Sequence, residues 1–290
     1  MLEERQYGPV VAFRSARTFF GRGYYYTAAY YVDTLLIDSG CAYSAAELAA
    51  RLKPSRPVSQ IVNTHCHEDH IGANGLLQSR FGCRIAAHPL ALPVLENPRL
   101  QPLQPYRRFF WGWPLPSHGQ FVDEWVQTEH HCFRVIPTPG HSPDHIALFE
   151  PQQGWLFSGD AYIGGRDRAA RPDYDVVAMI RSLRTLASLE IAALFPGSGT
   201  VRQNRPADEL ARKAAQLEEL GESIKILHAQ GHSPAKIRDR LLGREGSLFY
   251  MTLGHFSGEH LVELFLKPSM EEDGEGGNAG LAALARRPLR

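Results

Sequence analysis

Cysteine is scarce in this chain, with four residues among 290 (Cys41, Cys66, Cys83 and Cys132). These residues form no Cys-x-x-Cys pair and no spacing typical of a disulfide scaffold. A chain of this length does not need such a scaffold, because its hydrophobic content of 43% is enough for a sizeable core. The sequence therefore predicts free, reduced thiols.

An excess of charge and long apolar runs are also absent. The 31 basic and 31 acidic residues cancel, which gives no electrostatic reason for a nucleic-acid partner. No apolar run approaches the roughly 18 to 20 residues of a membrane span, and the first residues contain no apolar segment typical of a signal peptide. We therefore expect a cytoplasmic protein that binds neither nucleic acid nor a membrane.

Strand and helix patterns alternate in the first part of the chain. A short apolar strand at 60–63 leads into a polar loop, a helix is predicted over 71–81 and ended by Gly82, and another strand follows at 84–88. This order is typical of an α/β fold. Open α/β sheets usually place ligands at the carboxyl ends of their strands, which is where this loop begins.

The pattern becomes helical from Pro206 onward. Apolar residues recur there at helical spacing, and a last helix is predicted over 258–266. We therefore divide the chain into a main domain (1–205), a helical extension packed on it (206–267) and a tail (268–290). The tail contains a glutamate- and glycine-rich stretch and is expected to be disordered.

The most informative segment is the run from 64 to 70, Thr-His-Cys-His-Glu-Asp-His. Imidazole nitrogens and carboxylate oxygens are good ligands for zinc and similar divalent metals. In an extended backbone, side chains two positions apart point the same way, so His65 and His67 can converge on one ion. Asp69 and His70 would then turn toward a second ion.

Two segments have open interpretations. Residues 98–127 are rich in proline and aromatic residues, and they could form an ordered lid over the site or a loop packed on the body of the protein. Arg166, Arg168 and Arg171 closely follow Asp160. They could attract an anionic substrate, or they could lie in a solvated loop.

Three spaced motifs carry a resemblance to a known family. They are His-x-His-x-Asp-His at 65–70, Thr-Pro-Gly-His-Ser at 138–142 and Ser-Gly-Asp at 158–160. In this order and spacing they resemble the metallo-β-lactamase-fold hydrolase superfamily, and in chemistry its glyoxalase II-like branch, over roughly residues 8–200. The resemblance implies a four-layer αββα sandwich whose metals lie at one edge, between two β-sheets.

The resemblance also implies a metal site built from histidine and aspartate. The first metal would take His65, His67 and His141, the second would take Asp69 and His70, and Asp160 would bridge the two. Two cations about 3.5 to 4 Å apart can share a hydroxide and polarise a substrate carbonyl. Asp69 is also the candidate catalytic residue, because it could orient that hydroxide or move its proton. The expected cofactor is one or two zinc ions, with iron or manganese as alternatives.

One departure from the family pattern concerns the second metal. The fourth motif of the family usually reads Pro-Gly-His-Gly, and here Ser198 stands where its histidine would complete the second site. A serine hydroxyl is a much poorer ligand than imidazole. The protein could therefore use one metal, or a water could replace the ligand, or another histidine could arrive. His255 is the best candidate for that ligand, followed by His260, whereas His145 better fits a hydrogen-bond partner of the site.

These observations favour a metal-dependent hydrolase that uses a metal-bound hydroxide on an ester, thioester or lactone bond of a small-molecule substrate. The main alternative is an oxidoreductase similar to persulfide dioxygenases, which would hold one iron with His65, His141 and Asp160. A ribonuclease is less favoured, because the charge is balanced and no basic stripe is present. The sequence leaves the oligomeric state open, a homodimer included.

Overall fold

Two β-sheets lie face to face in the computed structural model, which describes residues 1–19, 21–52 and 56–267. The first sheet, in spatial order, contains β1 (Leu2–Tyr7), β2 (Val10–Phe19), β3 (Arg22–Val32), β4 (Leu35–Ile37), β5 (Gln60–Val62), β6 (Arg84–Ala87) and β7 (Gln120–Phe121). The second sheet contains β8 (Trp125–Gln127), β9 (Cys132–Pro137), β10 (Ile146–Glu150), β11 (Trp155–Gly159) and β12 (Ala193–Pro196), likewise in spatial order. The helices are α1 (Ala45–Arg51), α2 (Asn74–Phe81), α3 (Leu92–Glu96), α4 (Pro105–Trp111), α5 (Val176–Ala187), α6 (Pro206–Ala229), α7 (Pro234–Leu241), α8 (Ser247–Met251) and α9 (Gly258–Leu266).

The side chains of β2 show why the chain forms four layers. Successive side chains of a strand point to opposite faces of the sheet. Val11 and Phe13 belong to the apolar cluster that includes Leu48 of α1, whereas Val10 and Ala12 belong to the cluster between the two sheets. Each sheet therefore buries one face against helices and one face against the other sheet, which confirms the predicted αββα sandwich.

The outer layer of the second sheet is formed by C-terminal helices. Leu183 of α5, Leu217 of α6 and Leu261 of α9 share one apolar cluster with β11. The segment 206–267 is therefore packed as part of this layer, while a domain boundary at 205 stays a prediction. The tail 268–290 lies outside the described residues. Among the described helices, none has both the length and the apolar composition needed to cross a bilayer.

The segment 98–127 is more regular than its periodicity predicts. It contains α4 as well as β7 and β8. Pro105 occupies the first turn of α4, where its missing N–H costs nothing. The helix forms because tertiary contacts support it, since Phe110 and Arg107 are both buried.

Polar loops that follow several strands meet at one edge between the sheets. The Thr64 backbone N–H, just after β5, donates to Asp38 Oδ1, just after β4, at 2.7 Å. The Gly197 N–H, after β12, donates to the Gly159 carbonyl oxygen, at the end of β11, at 2.8 Å. The motifs at 65–70 and 158–160 therefore lie at this edge, as expected for carboxyl ends of strands.

Candidate metal centre

A first group of ligand atoms comes from the loops that follow β5 and β9. His65 Nε2 lies 2.8 Å from His67 Nδ1, and His141 Nε2 lies 2.9 Å from the same His67 nitrogen. All three rings are buried. Three imidazole nitrogens that converge on one point make a donor set suited to zinc, so the structure brings together the histidines predicted for the first metal.

A second group consists of His65, His70 and Asp160. His70 Nε2 lies 3.5 Å from Asp160 Oδ1 and 3.7 Å from Asp69 Oδ2. This nitrogen is buried and has no hydrogen-bond partner among the described residues, so a cation between it and the two carboxylates would fit. Asp160 Oδ2 lies 3.6 Å from His141 Nε2, which places this carboxylate between the two groups, where a bridging ligand would lie.

Burial sets the charge of these groups. It lowers the pKa of His65, His67 and His141 well below the ordinary value of histidine. The three rings are therefore neutral, which is the form that binds metals. Burial acts in the opposite direction on the carboxyl group of Asp69 and raises its pKa to about 7.

Asp38 is a residue of the site that the sequence reasoning missed. Its Oδ2 accepts a hydrogen bond from Thr64 Oγ1 at 2.8 Å and lies 2.7 Å from His70 Nδ1. An acceptor at Nδ1 keeps a proton there, so Nε2, which faces Asp160, is the nitrogen that a cation would take. Burial alone would lower the pKa of His70, but the nearby carboxylates, Asp38 first, raise it well above its usual value.

The contact between Asp38 and His70 leads to a prediction about metal affinity. Asp38→Asn places an amide, with one acceptor instead of two, against Thr64 and His70, so the imidazole loses its fixed orientation. We expect metal affinity to fall by about 10- to 100-fold, measured by competition with a chromophoric chelator. Asp33→Asn is the matched control, because Asp33 also has a positive φ, 53° against 59° at Asp38, but bonds to Thr128 and His130. Equal affinities in the two variants would contradict this role.

His145 positions Asp160 through the backbone. The Asp160 N–H donates to His145 Nε2 at 3.0 Å, and His145 Nδ1 lies 2.7 Å from Thr138 Oγ1. Burial lowers the pKa of His145 to about 4, so the ring is neutral and its Nε2 serves as an acceptor. Gly159 is needed here, because a Cβ at that position would lie 2.7 Å from His145 Nε2.

Arg171 reaches the site, unlike the two other arginines that follow Asp160. Its Nη2 lies 2.8 Å from His67 Nε2, and its guanidinium also forms two hydrogen bonds with Asp173. The side chain is 4% exposed, whereas Arg166 and Arg168 are exposed. The expectation of a solvated loop therefore fits Arg166 and Arg168, but it does not fit Arg171.

Comparison with known families decides where the chain belongs. The profile described as "Metallo-beta-lactamase superfamily" matches residues 22–198 and thus includes all three motifs. The chain belongs to the metallo-beta-lactamase superfamily. This result confirms the resemblance found in the sequence.

Relatives in the superfamily carry hydrolase names. The chain is 28% identical to a "Probable metallo-hydrolase YflN" of Bacillus subtilis, over 57% of this chain and 75% of that protein. It is 29% identical to an "Atrochrysone carboxyl ACP thioesterase" of Aspergillus fumigatus (59% and 49% covered) and 32% identical to a "Hydroxyacylglutathione hydrolase" of Stenotrophomonas maltophilia (45% and 45% covered). The match thus spans about half the length of the last two. Superfamily membership and these names together support a metal-dependent hydrolase.

Solved structures of the superfamily support the fold. A beta-lactamase domain protein from Burkholderia ambifaria superposes with a TM-score of 0.68 at 20% identity, and the match covers 91% of this chain and 87% of that chain. This coverage includes most of the C-terminal helices. The comparison therefore supports a helical region added to the sandwich.

The superfamily's fourth motif lies directly against the proposed ligands. A Cβ on Gly197 would lie 2.1 Å from Asp160 Oδ1 and 3.0 Å from His70 Cε1, so only glycine allows this approach. Ser198 follows, and its Oγ is buried with no hydrogen-bond partner among the described residues. Ser198 therefore directly follows the glycine that touches the second group of ligand atoms and lines the same cavity, but its hydroxyl is no strong metal ligand.

The structure does not place His255 in either group of ligand atoms. Its Nδ1 lies 2.8 Å from the hydroxyl of Tyr106, on α4. Burial lowers the pKa of His255 to about 4, so the ring is neutral in this contact. Ligation by His255 stays a prediction, whereas its observed partner is a tyrosine at the rim of the site.

A cavity of about 350 Å³ opens onto the proposed ligands. Its floor includes Asp69 and Asp160, and Tyr106 and Trp111 of α4 form part of its wall. Arg107 fixes α4 in place, because its Nε donates to Glu68 Oε1 at 2.7 Å and its Nη2 donates to Glu68 Oε2. The segment 98–127 therefore contributes an anchored wall at the mouth of the site.

Proposed function

We propose that the protein hydrolyses an ester, thioester or lactone bond and that zinc is its natural metal. The observation that carries the proposal is the meeting of two buried groups of ligand atoms, joined by Asp160, at the floor of an open cavity. His65, His67 and His141 would hold one cation, and Asp69, His70 and Asp160 would contribute to a second position. A bound divalent cation supplies a water of lowered pKa and polarises the substrate carbonyl.

The residues of this chain would transfer the proton, orient the metal ligands and shield the substrate from water. Asp69 lines the cavity, and its carboxylate could either hold the second cation or, where it holds none, accept and return a proton. Asp38 and His145 orient His70 and Asp160 through hydrogen bonds. Tyr106 and Trp111 line one side of the cavity and reduce its contact with water.

The names of two relatives support a thioester as the bond that is cleaved. One is named as an acyl carrier protein thioesterase and another as a hydroxyacylglutathione hydrolase. A thioester hydrolase needs an activated water and a polarised carbonyl, and no additional cofactor. We therefore place thioesters first among the substrates to test.

The decisive experiment combines metal analysis with a substrate panel. Purified protein is analysed for metals and then tested with acyl thioesters, p-nitrophenyl esters and lactones, before and after removal of metal by a chelator. We expect zinc and a hydrolytic activity that disappears with the metal and returns with added zinc. A single iron with oxygen consumption on a persulfide would instead support the oxidoreductase alternative.

The serine in the fourth motif leads to a prediction about metal content. Ser198→His places an imidazole beside Asp160 and His70, where the superfamily usually has one. We expect the variant to bind one more zinc ion per chain than the natural protein, measured by elemental analysis after dialysis. Thr200→His is the control, because residue 200 is exposed. An unchanged metal content in Ser198→His would show that residue 198 does not face the second metal position.

A further inference from the structure

A second, narrower cavity meets the first at the proposed ligands. It has a volume of about 50 Å³. His141, Asp160, Tyr174 and Phe256 line both cavities. A substrate whose carbonyl group is bound at these ligands could therefore place its acyl chain in one cavity and its leaving group in the other.

Three helices contribute five apolar side chains to the walls of the narrow cavity. Val176 and Met179 belong to α5, Leu217 belongs to α6, and Leu261 and Leu264 belong to α9. Four of these five side chains are buried, the exception being Met179. These five side chains gain free energy when an alkyl chain covers them.

The lining of the wide cavity contains more polar and charged groups, the carboxylates of Asp69 and Asp160 included. Arg14 and Arg171 line it together with the hydroxyl-bearing rings of Tyr25 and Tyr106. Cationic and hydroxyl groups at this side suit a polar or anionic leaving group. The two sides of the bond to be cleaved thus face surfaces of different chemistry.

We propose that the narrow cavity is the acyl-binding pocket and that it selects a short aliphatic acyl group. This inference rests on the proposed hydrolysis of an acyl ester or thioester. The leaving group then occupies the wide cavity, with its alcohol or thiol part near Arg14 and Arg171. The acyl pocket is the cavity lined by Val176, Met179, Leu217, Leu261 and Leu264.

The size of the acyl pocket limits the chain it accepts. One water-sized group needs about 10 to 15 Å³ of such volume, so 50 Å³ holds about four groups of that size. The lining also includes an ion pair, in which Lys213 Nζ lies 2.7 Å from Asp167 Oδ1. A longer alkyl chain would have to cover these charges, which is unfavourable. We therefore expect an optimum at about four to six carbons.

Binding of alkyl hydroxamic acids tests the pocket without relying on turnover. The hydroxamate group binds zinc, so a straight-chain series from two to ten carbons probes the pocket in the zinc-loaded protein by titration calorimetry. We expect the Kd to fall about three- to fourfold for each added methylene up to the optimum, and then to rise. A Kd that is independent of chain length, or the absence of hydroxamate binding, would overturn the inference.

Three variants show whether Leu217 sets the optimum. Leu217→Trp fills the acyl pocket and should move the optimum to shorter chains, whereas Leu217→Ala enlarges it and should move the optimum to longer chains. Leu220→Trp is the control on the same helix, because Leu220 does not line this cavity, and it should leave the series unchanged. Thermal unfolding of each variant verifies that it is folded. Identical series for the Leu217 variants and the natural protein would reject the assignment.

The same experiments separate this inference from the proposed function. If the chain-length series appears but no ester, thioester or lactone is hydrolysed, the acyl pocket stands and the proposed reaction is wrong. If hydrolysis occurs with no dependence on chain length, the reaction stands and the acyl pocket is wrong.

Discussion

Asp160→Asn is expected to lower kcat/KM for hydrolysis by about 10³-fold or more, the largest effect of any single substitution that we predict. Asp160 is the carboxylate that lies between the two groups of ligand atoms, 3.5 Å from His70 Nε2 and 3.6 Å from His141 Nε2. Its amide analogue keeps the shape but loses the negative charge and one acceptor. A tenfold loss in rate corresponds to about 1.4 kcal/mol, and loss of a ligand that stabilises charge at a metal centre is worth several times that amount.

The measurement combines steady-state kinetics on the best substrate of the panel with metal analysis. Asp208→Asn is the matched control, because Asp208 lies on α6 and pairs with Arg205 at the surface. We expect the control to retain both metal and activity. An Asp160→Asn variant with natural metal content and natural kcat/KM would show that the carboxylate does not act in the site.

Arg107→Met is expected to destabilise the protein by about 3 to 5 kcal/mol. Arg107 and Glu68 form a buried ion pair through two hydrogen bonds, and Glu68 is 0% exposed. Removing the arginine leaves a buried carboxylate without its partner, which costs far more than the pair itself contributes. The free energy of unfolding from urea denaturation gives the measurement.

A double variant separates the cost of the unpaired Glu68 carboxylate from the contribution of the ion pair itself. Arg107→Met combined with Glu68→Leu removes both charges and should recover most of the lost stability. Arg184→Met is the surface control, because the Arg184–Glu218 pair is exposed and its loss should leave stability nearly unchanged. If Arg107→Met is as stable as this control, the buried pair does not anchor α4.

Local patterns predict an α/β fold and a metal-binding loop, and the family resemblance that the three motifs carry implies the sandwich and most of the site. The run at 65–70 follows a short strand, and each of the other two motifs also begins at or near the end of a strand. Each motif therefore presents its ligands at the same edge once the sheets pack. Alternating apolar residues in β2 and the helical stripe of α6 are local signals of the same kind.

Asp38 and Arg171 could not be assigned in this way. Asp38 lies 32 positions before His70, and no spacing rule connects the end of one strand with a histidine in the loop after another. Arg166, Arg168 and Arg171 carry the same charge and lie close together in sequence. Only the fold shows that Arg171 is buried and the other two are exposed. The helix α4 was missed because its stability comes from tertiary contacts such as the ion pair between Arg107 and Glu68.

The contact between Arg171 and His67 determines which nitrogen of the His67 ring carries the hydrogen. A guanidinium can only donate, so while it touches Nε2 the neutral ring of His67 must carry its hydrogen on Nδ1, the nitrogen that faces His65 and His141. A cation among those three rings needs that nitrogen free. The neutral ring of His67 cannot meet both demands at once. If His67 Nδ1 were to hold a cation, its hydrogen would have to leave that nitrogen, and the contact with Arg171 in its present form would be lost.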